Sequence, residues 1–298
     1  MRKTGPVTTD LTSGLTSLLR APAGEVDLGA IPTDGKPGFE GRKKDGEGAL
    51  LAMGEELADL QERLFAQGKS DGRRSILLVL QGMDTSGKGG TLRSTVGLVD
   101  PQGVRITSFK APSDEERHHH FLWRITRALP PVGLIGVFDR SHYEDVLIAR
   151  VRGLAPPHEI ESRYGAINDW EADLVAQGTT IIKCMLHISP EEQKERLLAR
   201  LDNPEKHWKY NPGDVDERAH WPAYQEAYEI AIERTNTEAA PWFVIPSDRK
   251  WYRNLAIGSL LLETLRGMDL AWPEADFDVE AEKKRLIAQD LSAKAAGR

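Results

Sequence analysis

Ser75-Ile76-Leu77-Leu78-Val79-Leu80-Gln81-Gly82-Met83-Asp84-Thr85-Ser86-Gly87-Lys88-Gly89-Gly90-Thr91 is the stretch that decides the fold. The run Ser75–Leu80 is short, apolar and broken at once by Gly82. That is how a strand buried on both faces reads. Gly82 to Lys88 then fits the spacing Gly-x-x-x-x-Gly-Lys, and a helical pattern follows. Glycines let the chain turn tightly enough for backbone N–H groups to face a phosphate. The helix start adds partial positive charge, and Lys88 adds a mobile full one. A strand before and a helix after make this a phosphate-binding loop rather than a surface turn. Gly82, Thr85, Ser86, Gly87, Gly89, Gly90 and Thr91 are therefore expected around phosphate.

Two positions depart from the usual loop. Gly89 stands where a Ser or Thr hydroxyl would hold magnesium, and Thr91 lies further along. Asp84 puts a carboxylate inside a loop meant for anions. Both oddities are resolved if Asp84 faces a magnesium ion.

Similar apolar runs recur at Val104–Phe109, Leu134–Phe138, Thr179–Ile188 and Trp242–Ile245. Helical patterns lie between them, at 87–98, 113–129, 142–151, 157–177, 190–201, 215–235 and 250–265. Five short strands alternating with helices predict an α/β protein with a parallel sheet covered on both faces. Ahead of the sheet, 49–68 predicts an amphipathic helix ending at a glycine. Residues 1–48 read as an irregular arm. Residues 49–270 read as one domain, and 271–298 as a charged, Ala-rich tail that forms a terminal helix.

The chain has 298 residues, 40% of them hydrophobic, which is globular composition. Its 39 Lys and Arg against 46 Asp and Glu give a net charge of −7. That argues against a general nucleic-acid binder but leaves room for a local basic patch on a compact polyanion. With one cysteine, Cys184, neither an internal disulfide nor a Cys₄ or Cys₂His₂ zinc site can form. Cys184 sits in an apolar run and reads as a small core hydrophobe. The start, 1–19, lacks the apolar stretch of a secretory leader, and no run of about 18 apolar residues suggests a membrane span. A cytoplasmic protein is expected.

A second acid follows the third strand, in Phe138-Asp139-Arg140-Ser141. Ligands of open parallel sheets sit beyond the carboxyl ends of strands. Asp139 is thus expected beside the phosphate loop as a magnesium carboxylate, with Arg140 as a phosphate clamp. The competing reading of Asp139 is a helix N-cap. Lys110, Arg117, Arg124 and Arg127 follow the second strand. Positions 117, 120, 124 and 127 share one face if 113–129 is a single helix. That row is either a polyanion path or a solvated face. His118, His119 and His120 read as ordinary polar helix residues, since adjacent helical side chains diverge. A second basic stretch runs from Arg196 through Arg200 and Lys206 to Lys209, punctuated by Pro204 and by Asn211-Pro212-Gly213. It lies where nucleotide kinases carry a mobile lid, about 202–220 here.

Taken together, the segments 82–90, Ser108 to Glu116, Phe138 to Val146, Leu201 to Lys209 and Trp242 to Asn254 resemble the polyphosphate kinase 2 family. The resemblance covers about residues 35 to 268. It implies a P-loop three-layer αβα sandwich of thymidylate-kinase type with a helical lid. It also implies reversible, magnesium-dependent transfer of the terminal phosphoryl group of inorganic polyphosphate to AMP or ADP, forming ADP or ATP. Carried over, the catalytic set is Asp84, Lys88, Asp139, Arg140 and Arg200, with Asp84 and Asp139 as metal ligands. Lys110, Arg117 and Arg124 would line the polyphosphate path. Arg196, Lys206 and Lys209 would belong to the lid, and Tyr143 and Glu144 to the nucleotide acceptor site. Ser141-His142-Tyr143-Glu144-Asp145 is similar to the form found in members that accept AMP. A homo-oligomer, dimer or tetramer, is expected. The rival readings are an ATP-dependent nucleoside or nucleotide kinase on the same fold, and a regulatory module that only binds phosphate chains. A GTPase is unsupported, because no Asn-Lys-x-Asp motif occurs.

Overall fold

A computed structural model describes residues 14–289. Its strands are β1 (Ser75–Gln81), β2 (Val104–Ser108), β3 (Ile135–Asp139), β4 (Thr179–His187) and β5 (Trp242–Pro246). All pairings are parallel, in the order β2-β3-β1-β4-β5. The fold class read from the sequence is therefore correct.

Alternation along β1 explains the two cores. Ile76, Leu78 and Leu80 pack with Leu57, Leu64, Tyr252 and Leu261, from the helices Gly54–Gly68 and Lys250–Gly267. Leu77 and Val79 point the other way, onto Tyr164, Ile167, Ala227 and Ile232 of the helices Pro157–Ala176 and Trp221–Thr235. Every β1 residue is buried. Burial of an aliphatic side chain stabilises by about 1.5–3 kcal/mol, so a strand buried on both faces is nearly all aliphatic.

The order also places the site. From β1 the chain continues to one side of the sheet, and from its neighbour β4 to the other. Such a switch point opens a crevice beyond the carboxyl ends of the strands. Register aligns those ends: Asp139 pairs with both Leu80 and Ser108.

The edges differ. Arg20 and Phe243 form an antiparallel bridge, and Ala21 N donates to Trp242 O at 2.8 Å, so the N-terminal arm covers the β5 edge. The arm carries a helix, Leu15–Leu19, and buries Leu28 and Phe39. It is integral to the core; residues 1–13 lie outside the described region. The β2 edge stays open, with Ile106 52% exposed.

Several expected helices are divided. The segment read as one helix over 49–68 forms Lys43–Ala52 and Gly54–Gly68, joined at Met53. The segment 113–129 breaks into Asp114–Arg117 and Leu122–Ala128. Ser113 and Glu116 make a reciprocal capping box that starts the first piece. His118 Nδ1 then meets Asp114 O at 2.6 Å, and His119 stacks on Trp123 with ring centroids 4.0 Å apart, where the chain turns. The segment 215–235 splits into Gly213–Arg218 and Trp221–Thr235, with Pro222 starting the latter. In the tail, Val279–Ala288 is an exposed helix, and residues 290–298 fall outside the described region. Among the described residues no helix is long and apolar enough to cross a membrane.

One glycine is held by both its dihedral and its surroundings. Gly133 has φ +84°, and a β-carbon there would fall 2.7 Å from Gly68 Cα. Gly133→Ala is expected to cost about 2–4 kcal/mol in urea unfolding, because backbone cannot yield to it. An unchanged midpoint would contradict that packing.

Candidate active site

The phosphate loop leaves β1 at Gly82 and enters the helix Lys88–Ser94. Gly87 takes φ +111°, and Thr85 takes φ +63°, uncommon for a residue with a side chain. Lys88 Nζ donates to Gly82 O at 2.8 Å, closing the loop on itself. Burial, then Arg140, pushes the Lys88 ammonium below its ordinary range, while Asp84, Asp139 and Glu144 pull it back. Thr85 Oγ1 and Ser86 Oγ are buried with no partner among the described residues, which suits a loop built for phosphoryl oxygens. Thr91 does not fit its expected role: it is fully buried, with Oγ1 3.5 Å from Gly87 O.

Asp84 and Arg140 meet across the crevice. Arg140 Nη2 donates to Asp84 Oδ1 at 2.9 Å. Arg140 also has positive φ, +64°, as the chain bends away from β3. Burial alone would lower its pKa, but Glu144 and Asp84 outweigh it, and the guanidinium stays charged. Asp139 accepts from Ser108 Oγ at 3.4 Å. Glu144 accepts from Gln81 Nε2 at 3.1 Å; burial raises its carboxyl, against the pull of Arg140 and Lys88. Asp84, Arg140 and Glu144 line a cleft of about 240 Å³, closed opposite by Asn211, Gly213, Asp214 and Glu217. The residues of the expected lid therefore face the loop. Tyr224, Tyr228 and Gln193 complete the walls; their sequence setting gave no signal, because their neighbours read as plain helix.

Arg200 stands at the start of the segment expected as the lid. Its Nη1 donates to Lys209 O at 3.0 Å and pairs with Asp214 at 3.4 Å. Lys206 and Lys209 are exposed, and Lys209 Nζ lies 4.9 Å from the Trp208 ring centroid, itself 79% exposed.

Besides Thr91, three expectations need correcting. Arg196 is no lid residue: it is buried under the phosphate loop, where its Nη1 donates to Thr85 O at 2.8 Å. Tyr143 is a core residue rather than an acceptor contact. It is fully buried, and its hydroxyl donates to Glu171 Oε1 at 2.9 Å and lies 3.0 Å from Thr235 Oγ1. The arginine row is broken with its helix. Arg117 turns aside to Pro112 O and Asp114. Lys110 and Arg124 do share a cleft of about 380 Å³, together with Arg105 and Arg127. Arg124 is also tied to Lys110 O at 2.9 Å and pairs with Asp145 at 3.6 Å. Arg105 escaped the sequence reading because β2 looked like a buried strand; an open edge presents it.

Tyr143 belongs to a buried network. Lys183 Nζ donates to Glu171 Oε2 at 2.6 Å, and His142 Nε2 lies 3.2 Å from Glu171 Oε1. Burial lowers His142 below its ordinary 6.5, and His187 likewise. Burial would raise Glu171, but Lys183 and His142 more than offset it and hold the carboxyl below its ordinary 4.5. In each case the unfolded chain takes up a proton that the folded one resists. The histidine contribution is complete above 6.5 and lost as pH falls through that range toward the folded pKa. The Glu171 contribution is present above 4.5 and lost below it. Glu144 and Asp145, whose carboxyls burial raises, act in the opposite sense on acidification, so the test is a difference: in scanning calorimetry the change in Tm from about pH 7.5 to about 5 should be less unfavourable in His142→Gln than in the wild type. The same change in both would refute this.

No group of three or more His, Cys, Asp or Glu side chains is arranged to hold a metal among the described residues. Asp84 and Asp139, both close enough to Lys88 to act on its charge, fit a hard cation that takes its other oxygens from phosphates and water.

A parallel sheet with a phosphate loop at its switch point and an Asp-Arg pair at the end of the neighbouring strand, β3, is the architecture of a P-loop phosphotransferase. The profile of the family described as polyphosphate kinase 2 matches residues 40–272. The chain belongs to that family. It is 44% identical over 255 residues to the AMP/ADP-polyphosphate phosphotransferase of Meiothermus ruber, covering 86% of this chain and 94% of that one. It is 39% identical over 289 residues to the ADP-polyphosphate phosphotransferase of Rhodopseudomonas palustris, covering 91% and 96%. The crystal structure of polyphosphate kinase 2 from Arthrobacter aurescens TC1 superposes with a TM-score of 0.90 at 52% identity, covering 93% and 98%.

Proposed function

We propose that this enzyme moves the terminal phosphoryl group of inorganic polyphosphate to AMP and to ADP, reversibly and with magnesium. The observation that carries the reading is the meeting of Lys88, Arg140, Asp84 and Asp139 at one rim of the sheet, faced by the lid. The names of the relatives support polyphosphate as donor over ATP. Four charged groups of alternating sign also exceed what a binding module needs.

The acceptor oxygen of AMP or ADP is already anionic, so it needs little general-base help. The bond that forms joins that oxygen to the terminal phosphorus; the bond that breaks joins the phosphorus to the chain. The shortened chain leaves with the electron pair. The obstacle is bringing two polyanions together. Lys88 and Arg140 supply fixed positive charge where negative charge builds up, and Arg200 positions the lid that excludes water. Asp84 and Asp139 would hold magnesium, which supplies further neutralisation when bound. Lys110 and Arg124, with Arg105 and Arg127, form the surface on which the rest of the chain would lie. Lys206 and Lys209 would add charge from the lid, and Glu144 would border the acceptor. A cytoplasmic homo-oligomer completes the reading.

Incubating the protein with polyphosphate, magnesium and either AMP or ADP, without ATP, tests this. ADP should appear from AMP, and ATP from ADP. Product only when ATP is the donor would favour the rival kinase. Because cations draw the chain in, its apparent KM should rise with added salt. A salt-independent KM would count against the basic surface.

A further inference from the structure

Two guanidinium groups lie buried beneath the phosphate loop. Arg196 donates from Nη1 to Thr85 O at 2.8 Å and Ser86 O at 3.0 Å, and from Nη2 to Ser247 O at 2.6 Å. Arg253, in the first turn of Lys250–Gly267, donates from Nη1 to Ser86 O at 3.1 Å and is only 2% exposed. The loop makes room for it. A β-carbon at Gly87 would fall 1.7 Å from Arg253 Nη1, and one at Gly90 would fall 2.8 Å from Nη2. These glycines thus admit a cation from below as well as a phosphate from above.

The charges beneath the loop do not balance. Glu192 pairs with Arg196 Nε at 2.6 Å. Arg253 has only neutral partners: Ser86 O, and Asn254 Oδ1 at 2.8 Å from its Nη2. No carboxylate lies within ion-pair distance of it among the described residues. The Asp248 carboxylate is committed to Ser189 N and Thr33 Oγ1. Burial, then Arg196, pushes Arg253 down to about 9, the mark of a cation left uncompensated. A lone buried charge normally destabilises a fold. Nor is Arg253 needed to satisfy Ser86 O, which Arg196 already serves.

We propose that Arg253 is a positioning residue for the phosphate chain, its buried charge acting through the Ser86–Gly87 peptide and being balanced only when an anion occupies the loop. A cation on Ser86 O draws charge along that peptide and makes the Gly87 N–H a stronger donor. This rests on reading the loop as the phosphate site.

The test is calorimetric titration of the full chain with inorganic tripolyphosphate and magnesium, alongside the melting temperature of the anion-free protein. Arg253→Gln should bind about tenfold more weakly, a loss of the size expected for one charged hydrogen-bonding group. Its anion-free melting temperature should equal or exceed that of the wild type. Arg253→Lys keeps the charge and should bind within about threefold of wild type. Unchanged affinity in Arg253→Gln, with a lowered melting temperature, would make Arg253 merely structural and overturn the proposal. An equal loss in both variants would also overturn it. Should Arg253→Gln not fold, Arg253→Lys decides alone: retention supports the proposal and a tenfold loss refutes it. A wild type that ignores tripolyphosphate would remove the phosphate-site reading and this inference together.

Discussion

Lys88→Ala is expected to lose roughly a thousandfold in turnover of ADP with polyphosphate, the scale on which a charge-stabilising donor is worth to a transition state. The loss should fall mainly on kcat, because Lys88 opposes charge that grows during transfer. Stability should hardly change. The ammonium is half-buried among groups that include Arg140, desolvation pushes it toward the neutral form, and among the described residues its hydrogen bond is to Gly82 O. Removing it relieves a desolvated cation as much as it loosens the loop. Steady-state kinetics and thermal melting on the same sample separate the outcomes. Near-normal turnover would show that the lysine closes the loop and does nothing more.

Asp139→Asn is expected to reduce turnover by about a hundredfold or more and to raise the magnesium concentration needed for half-maximal rate. The amide keeps the size of the carboxylate and a contact with Ser108 Oγ, so the fold should persist. What is lost is one negative charge acting on both Lys88 and Arg140 at the end of β3. Titrating magnesium against rate distinguishes the roles. The helix-cap reading is already excluded, because Ser141 caps the turn that follows; an unchanged magnesium requirement with normal kcat would leave Asp139 as no more than a partner of Ser108 Oγ.

The phosphate loop, the five strands and the Asp-Arg pair were legible in the sequence because each is local. A buried parallel strand needs a short aliphatic run, a tight loop needs glycine, and the ends of adjacent strands lie together whenever the sheet is parallel. The broken arginine row was not legible. Spacing alone allowed one helix over 113–129, and the competing contacts of His118 and His119 became visible only in three dimensions. The place of Arg196 was hidden for a related reason. Its spacing to Arg200 suggested a shared basic face, yet four positions along a helix carried one to Lys209 and Asp214 and the other under the loop. Tyr143 misled because its motif neighbours Arg140 and Glu144 do line the cleft, while its own ring turns inward to Lys183 and Glu171. Arg253 lies in a segment that carried the resemblance, Trp242 to Asn254, but its place under the loop was not legible, since an arginine near a helix start declares its partners only when the loop beside it is in place.

Phosphorus-31 NMR of the wild-type protein with ADP, magnesium and defined-length polyphosphate follows the donor and the acceptor in one sample. The γ-phosphoryl resonance of ATP should grow as the chain shortens, with no lag and no added ATP. Chain shortening that yields only free orthophosphate, or an unchanged spectrum, would contradict direct transfer between the two anions at the rim of the sheet.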